Sequence, residues 1–110
     1  MTNAGRFRSI FFYSDHFEQF FIRQNEKDRQ KILWTLELLE ELQRIPESYL
    51  KHIENTSGLC EIRIQSGCNI FRVFCFFSEG NRIVVINRFE KKSQKTPRRE
   101  IEKALKIMEE

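Results

Sequence analysis

The chain has 110 residues, enough to bury one hydrophobic core but not two, so we expect a single domain over residues 1–110. Its formal net charge of +3 is too small to indicate nucleic-acid binding by itself. Three cysteines without metal-ligand spacing, no apolar signal region and no apolar run of membrane length favour a protein of the reduced cytoplasm over a secreted or membrane protein.

A strand and a short helix are predicted near the N-terminus. Residues 7–13 are rich in aromatic side chains, and Ser14 or Asp15 supplies a helix N-cap directly after them. The phenylalanines of this helix recur at i, i+3 and i+4 and therefore share one face: Phe17, Phe20 and Phe21. A break at Gln24 and Asn25 separates this helix from the next one.

A longer helix is predicted over residues 26–44, ending before Pro46, whose ring disfavours helix at the preceding residue. One face of this helix carries Ile32, Leu36 and Leu39. The apolar stripe is widened by Leu33, Trp34, Leu38 and Leu42. Such a stripe indicates contact with the sheet and with a further partner, although Trp34 also fits a helix that packs only within its own domain.

Strands are predicted at residues 59–64, 70–77 and 83–89, after a connection over residues 46–57. The turn residues between the strands are Ser66, Gly67, Glu79, Gly80 and Asn81. A last helix begins with Thr96 as N-cap and Pro97 at its first position. The apolar face of this helix is formed by Ile101, Leu105 and Met108.

Basic side chains concentrate on the predicted sheet and just after it. They are Arg63, Arg72 and Arg88 within the strands, followed by Lys91, Lys92 and Lys95. Acidic residues gather instead in residues 37–61. Arginines on a twisted antiparallel sheet beside a lysine-rich turn form a surface that suits a phosphate-bearing polymer. The alternative is a solvated basic face without a ligand.

Two of these arginines are expected to meet. Arg63 and Arg72 lie on consecutive strands around one turn, so they are cross-strand or diagonal neighbours that could hold a single phosphate. Glu61 is the internal anion that could join them instead, as an ion-pair ladder without a ligand. Because Arg72 has no apolar role in mid-strand, we expect its loss to remove charge but little of the core.

The sequence contains none of the motifs GxSxG, HExxH or a phosphate-binding loop. His16 is interpreted as a surface or boundary residue and His52 as a loop residue that could titrate near neutral pH, and neither is expected to act on a substrate. Cys60 and Cys75 are interpreted as small buried apolar side chains. For the basic side chains the relevant chemistry is RNA cleavage, in which a 2′-hydroxyl attacks the phosphate. This reaction needs a base, an acid and stabilisation of the negative charge that develops on the phosphate. Because no carboxylate and histidine cluster has ligand spacing, we expect no metal site and no cofactor.

Several blocks of the sequence resemble the toxins of type II toxin–antitoxin systems in the RelE/ParE superfamily, and in particular the HigB-like, phage-derived branch. The marks of this branch are an E-x-R strand, an aromatic residue followed by arginine on the next strand, a third strand ending in F-x-K-K, and Q-K-T-P before the last helix. They correspond here to Glu61 and Arg63, Phe71 and Arg72, Phe89 to Lys92, and Gln94 to Pro97. The resemblance covers nearly the whole chain.

The resemblance implies an α+β fold in which a helical hairpin packs on a small twisted antiparallel sheet, with a C-terminal helix. It also implies metal-free, ribosome-dependent cleavage of messenger RNA in the A site, and a helix-turn-helix antitoxin as partner. By motif position, the catalytic residues are Arg63, Arg72 and Lys92, with Glu61 as a further candidate. The expected RNA contacts are Lys91, Lys95, Arg88 and Lys51. The wide helical stripe assigns Trp34 and Leu38 to the antitoxin interface.

Two other functions are compatible with the same fold. A ParE-like inhibitor of DNA gyrase needs no nuclease site, and a catalytically weak homologue of a toxin would keep only antitoxin binding. The cluster of Arg63, Arg72 and Lys92 favours the nuclease over the gyrase inhibitor. Glu61 stands where some relatives carry a lysine, and this difference keeps the weak homologue open.

Overall fold

Eight secondary-structure elements are present in the computed structural model, which describes residues 6–91 and 98–109, with the backbone alone for residues 87–91. In chain order they are β1 (Ser9–Phe12), α1 (His16–Ile22), α2 (Glu26–Glu41), β2 (Leu50–His52), β3 (Leu59–Ser66), β4 (Asn69–Ser78), β5 (Arg82–Lys91) and α3 (Arg98–Glu109). The strands form one sheet in the order β1-β5-β4-β3-β2. The predicted α+β class is therefore confirmed.

The pairing of the strands is antiparallel except at one edge. β2, β3, β4 and β5 pair antiparallel in sequence order, whereas β1 pairs in parallel with β5. The sheet is thus mixed. Its first strand, β1, lies beside the last strand, β5, and not beside β2, which is the next strand in sequence. Both edge strands are short, which limits the row of backbone groups exposed at each edge.

The helical hairpin of α1 and α2 covers one face of the sheet. Its buried side chains are the ones predicted from the helical periodicity: Phe17, Phe20, Ile32, Leu36 and Leu39. They pack on alternate residues of β3 and β4, including Ile62, Ile64, Phe71 and Val73. Each such side chain contributes about 1.5–3 kcal/mol when it is buried. This hydrophobic layer fixes which residues of the central strands face the helices.

The residues that alternate with this layer lie on the other face, where α3 packs. A second buried cluster consists there of Leu59, Phe74, Ile86 and Ala104. The predicted apolar face of α3 lies against this cluster, because Ile101, Leu105 and Met108 all pack on it. Arg63 and Arg72 have the same strand phase as Leu59 and Phe74, so they lie on the α3 side of the sheet.

The predicted end of the longer helix was wrong by three residues. α2 ends at Glu41, because Leu42 has an extended conformation with φ −83° and ψ 129°. The guanidinium of Arg8 donates hydrogen bonds to the carbonyls of Leu39, Leu42 and Gln43. These bonds satisfy carbonyl groups that the end of the helix leaves without a partner.

The predicted connection over residues 46–57 was also incomplete, because it contains the strand β2. Lys51 pairs with Glu61, and His52 pairs with Cys60, at the edge of the sheet. The predicted N-cap Thr96 and first helical residue Pro97 lie outside the described residues.

A buried carboxylate joins α2 to the turn between β3 and β4. The Ser66 hydroxyl donates to Asp28 Oδ1 at 2.5 Å, and Asn69 Nδ2 donates to Asp28 Oδ2 at 3.0 Å. The backbone N–H of Asp28 donates in turn to Asn25 Oδ1 at 2.8 Å, which caps the helix. Asp28 is only 4% exposed, so its carboxylate depends on these donors for its solvation.

Replacing Asp28 with alanine is expected to lower the free energy of unfolding by about 2 kcal/mol, because the buried hydroxyl of Ser66 loses its acceptor and the amide of Asn69 loses its contact with the helix. Urea unfolding followed by circular dichroism measures this change. Glu26→Ala is the matched control, since Glu26 is an exposed acid in the same helical turn. Equal losses in the two variants would show that the contact with the turn contributes little.

Candidate phosphate-binding site

Arg63 and Arg72 are direct cross-strand neighbours. The register of β3 and β4 pairs the two residues, which confirms the predicted proximity of their side chains. Phe89 of β5 is the next residue in the same row. Like charges directly opposite each other destabilise a sheet unless an anion lies between them. The arrangement therefore requires a negative charge near the two guanidinium groups.

Glu61 supplies this charge in the structure. Its Oε1 atom lies 3.2 Å from Arg63 Nε and 3.5 Å from Arg72 Nε. Only 4% of the Glu61 side chain is exposed, compared with 28% of the Arg63 side chain. The predicted ion pair between Glu61 and the arginines is thus present. One carboxylate oxygen serves both cations.

Arg72 is the more deeply placed of the two arginines. It is 6% exposed, and its Nη1 donates to the carbonyl of Phe71 at 3.2 Å. Its Nε is buried and has no hydrogen-bond acceptor of good geometry among the described residues. Burial lowers the pKa of Arg72, the charge of Glu61 raises it, and Arg63 lowers it again. Arginine nevertheless stays protonated near neutral pH, because its ordinary pKa is so high.

The two guanidinium groups border a small cleft. Its volume is about 200 Å³, and its lining consists of Ser48, Arg63, Ile64, Gln65 and Arg72. Ser48 and Gln65 were not predicted as site residues. Gln65 could have been found from the sequence, because it follows Arg63 by two positions and so has the same strand phase. Ser48 offered no comparable signal, since it precedes the short strand β2.

The other predicted contacts are placed only in part. Lys51 is half-buried and pairs with Glu61, so it lies beside the arginine row. The backbone of Lys91 pairs with Ile70, one row beyond Arg72, whereas Arg88 pairs with Val73, a residue that faces the helical hairpin. Lys92 and Lys95 lie outside the described residues. Their roles remain predictions.

The residues assigned to an antitoxin interface are accessible on α2. Trp34 is 44% exposed, and its ring packs edge-on against Tyr49 with the centroids 5.9 Å apart. Lys31 Nζ lies 4.3 Å from the centre of the Trp34 ring. Leu38 is half-buried. These positions leave both side chains available to a partner, and antitoxin binding there remains a prediction.

Histidine, cysteine and metal chemistry contribute little to the described part of the chain. His16 is exposed, as predicted. His52 is also exposed, but it lies at the end of the strand β2 and not in the predicted loop. Cys60 and Cys75 are buried, and burial raises the pKa of both thiols, which disfavours the nucleophilic thiolate. Within residues 6–91 and 98–109 no three metal-ligating side chains converge, and no helix is long and apolar enough to cross a membrane.

The sheet covered by a helical hairpin defines a RelE-like fold. The structure is similar to a chain of the archaeal RelE-RelB complex from Pyrococcus horikoshii OT3, with a TM-score of 0.57 and 14% sequence identity. The match covers 81% of this chain and 99% of the archaeal chain. At this level of identity the comparison shows the fold alone.

The sequence itself places the chain in a family. Residues 19–109 match the family described as phage derived protein Gp49-like (DUF891), and the chain belongs to this family. The match confirms the predicted resemblance to the phage-derived branch of RelE-like proteins. No curated protein gives a significant match to the sequence.

The burial of Arg72 contradicts the expectation that its loss would remove little of the core. Arg72→Ala should lower the free energy of unfolding by about 3 kcal/mol, because it leaves a void and takes a cation from the buried Glu61. Arg63→Ala should lower it by about 1 kcal/mol or less, because Arg63 is partly solvated. Urea denaturation of both variants tests this order. A larger loss for Arg63→Ala would contradict the assigned burial.

Proposed function

We propose that the chain is the toxin of a type II toxin–antitoxin pair in the cytoplasm, and that it inhibits translation by cleaving messenger RNA on the ribosome without a metal ion. The family membership and the RelE-like fold support the coarser part of this proposal. The arginine pair supports the finer part, because two adjacent guanidinium groups suit a phosphate diester.

The single observation that carries the nuclease proposal is the geometry of Arg72 beside Arg63. Arg72 holds a buried Nε without a well-aligned acceptor, at the wall of a cleft that Arg63 also lines. A phosphate in this cleft would lie beside both guanidinium groups, and it would reach Arg72 Nε only by displacing the Glu61 carboxylate, which lies 3.5 Å from that atom. Positive charge at this point stabilises the additional negative charge that develops on the phosphate in the transition state.

The proposed reaction is an internal displacement at phosphorus. The 2′-oxygen forms a bond to phosphorus and loses its proton to a base, while the bond from phosphorus to the 5′-oxygen breaks and that oxygen takes a proton from an acid. Glu61 is the candidate base, because its carboxylate lies beside the cleft and can accept the proton once a phosphate has taken its place at the two arginines. Lys92 is the candidate acid, on the strength of the family resemblance alone.

A catalytically weak homologue is the second candidate function, and one observation favours it. Glu61 already pairs with both arginines and offsets one of their two positive charges, so a phosphate must compete with a carboxylate that belongs to the protein. A chain with this ion pair could keep antitoxin binding while it cleaves slowly. The two candidates differ in whether induction produces new RNA ends.

An antitoxin is the proposed protein partner. The archaeal chain of similar fold was solved in a RelE-RelB complex, and Trp34 and Leu38 are exposed or half-exposed on α2. A helix-turn-helix protein encoded beside this gene would be the natural candidate for this partner.

Induction of the chain without its partner is expected to arrest growth and to produce new 5′ ends within translated codons. Primer extension on cellular messages measures these ends. Arg63→Gln and Arg72→Gln should each reduce cleavage by at least about a hundredfold, because each removes one cation from the phosphate. Lys27→Gln is the control, since Lys27 is an exposed cation of α2 away from the cleft. Folding of every variant is checked by circular dichroism.

Growth arrest without new 5′ ends would reject the nuclease and leave the gyrase inhibitor, for which gyrase activity is then assayed directly. Absence of arrest at confirmed expression of folded protein would support the weak homologue. Cleavage that survives both arginine substitutions would place the active site elsewhere.

The metal-free reaction predicts the chemistry of the RNA ends. The upstream fragment should carry a 2′,3′-cyclic phosphate or a 3′-phosphate, and the downstream fragment a 5′-hydroxyl, because the 2′-oxygen is the nucleophile. The assay uses messenger RNA bound to assembled ribosomes, with EDTA added just before the chain. Cleavage that is lost upon chelation while the ribosome complexes stay intact, or 5′-phosphate products, would indicate metal-assisted hydrolysis.

A further inference from the structure

A second cleft lies on the opposite side of the sheet, between the end of β1, α1 and α2. Its volume is about 360 Å³, which is at the lower end of the range of ligand-binding clefts. Its apolar lining consists of Phe12, Phe17, Phe21, Leu33 and Leu36. We call this cleft the aromatic groove.

The aromatic groove has a preformed wall and an open mouth. The rings of Phe12 and Phe17 are stacked with their centroids 5.1 Å apart, and those of Phe17 and Phe21 at 6.2 Å. Phe17 is buried at its base, whereas Phe12 is 47% exposed and Leu33 is 48% exposed. Two large apolar side chains thus remain half in solvent beside a buried apolar floor, an arrangement typical of a binding groove.

The polar rim of the groove is acidic. The remaining lining residues are Ser14, Asp15 and Glu18, so the described lining contains two carboxylates and no cation. Glu37, exposed, follows Leu33 by one helical turn. Arg29 precedes Leu33 by one turn and keeps its charge, but it is not part of the lining, and its guanidinium donates to the carbonyl of Gln24. The charge at the groove is therefore opposite in sign to that of the arginine pair.

This charge determines the class of occupant. RNA is disfavoured, because its phosphates would face the carboxylates of the rim. A protein segment with a large aliphatic or aromatic anchor and flanking lysines or arginines is complementary both to the apolar floor and to the acidic rim. The groove lies on the face of the sheet that the α1–α2 hairpin covers, whereas the arginine cleft lies on the opposite face. An occupant of the groove would therefore not compete directly for the arginine cleft.

We propose that the aromatic groove binds a segment of the antitoxin that carries an apolar anchor flanked by basic side chains. The identity of the partner rests on the proposed function; the chemistry of the segment rests on the groove itself. The site is distinct from Trp34 and Leu38, because Leu33 lies on one flank of the buried stripe of α2 and Leu38 on the other. The antitoxin is thereby held mainly away from the phosphate-binding cleft.

Peptide selection tests the groove without any assumption about activity. The purified chain is used to select from a phage-displayed library of random dodecapeptides, and the enriched peptides are measured by fluorescence polarisation. We expect peptides with Leu, Ile, Phe, Met or Trp anchors next to Lys or Arg. Their affinity should fall at least about tenfold for Leu33→Ser, because the anchor loses part of its apolar contact.

Two matched controls separate the groove from the rest of the surface. Ile22→Ser removes another exposed aliphatic side chain, which is not part of the groove lining, and should leave the affinity unchanged. Glu18→Lys should weaken binding at low salt, whereas Glu26→Lys adds the same charge outside the lining and should have little effect. Unchanged unfolding midpoints confirm that each variant is folded.

Selection of no peptide, of peptides with acidic flanks, or of peptides that bind Leu33→Ser as well as the wild type would overturn the proposal. So would loss of binding in Trp34→Ala and Leu38→Ser while Leu33→Ser still binds. A further arm uses the co-expressed antitoxin: Leu33→Ser should stay toxic and escape neutralisation. If the wild-type chain is not toxic, the proposed function fails, while the peptide measurements still decide the chemistry of the groove.

Discussion

The placement of two arginines directly opposite each other on the central strands is the constraint on which the site depends. Two cations in this position need an anion, and the buried Glu61 provides one oxygen to both of them. A slip of one residue between β3 and β4 would move the arginines to opposite faces of the sheet. The register is therefore as important to the site as the identity of the residues. It is held at the turn by the hydrogen bonds from Ser66 and Asn69 to Asp28.

The period of two along β3 and β4 also divides the sheet into two faces of different chemistry. Apolar residues on one face bind the helical hairpin, and this packing leaves an apolar groove with an acidic rim at the end of β1. The charged residues on the other face meet beside a small polar cleft. The same alternation that builds the core thus separates an acidic surface from a basic one. In the proposed function, protein partner and RNA use different faces for this reason.

Local pattern was sufficient to predict the elements with strong periodicity and to predict that Arg63 and Arg72 meet. It was not sufficient for β2, because Leu50–His52 is three residues long, follows a proline and has no clear alternation. The parallel pairing of β1 depends on contacts across some 70 residues of chain and leaves no local signal. The burial of Arg72 and Asp28 was missed because a charged residue is normally predicted to be solvated. In both cases burial depends on tertiary partners that the sequence pattern does not reveal.

The two candidate functions differ in whether a phosphate can displace the carboxylate of Glu61 from the two arginines. In the free protein the Glu61 carboxylate already occupies the place of an anion between the two arginines, so a phosphate that displaces it gains only the difference between its own interaction and that of the carboxylate. A phosphate that takes over both guanidinium groups would also separate Glu61 from them at the moment when a base is needed. Substrate binding and base release are then a single event in the nuclease. If the carboxylate stays paired with the arginines, the same residues form a stable ion-pair ladder, and only the proposed binding of the antitoxin would remain as a function. The balance between these outcomes lies in the competition between one buried carboxylate and one phosphate for the same two arginines.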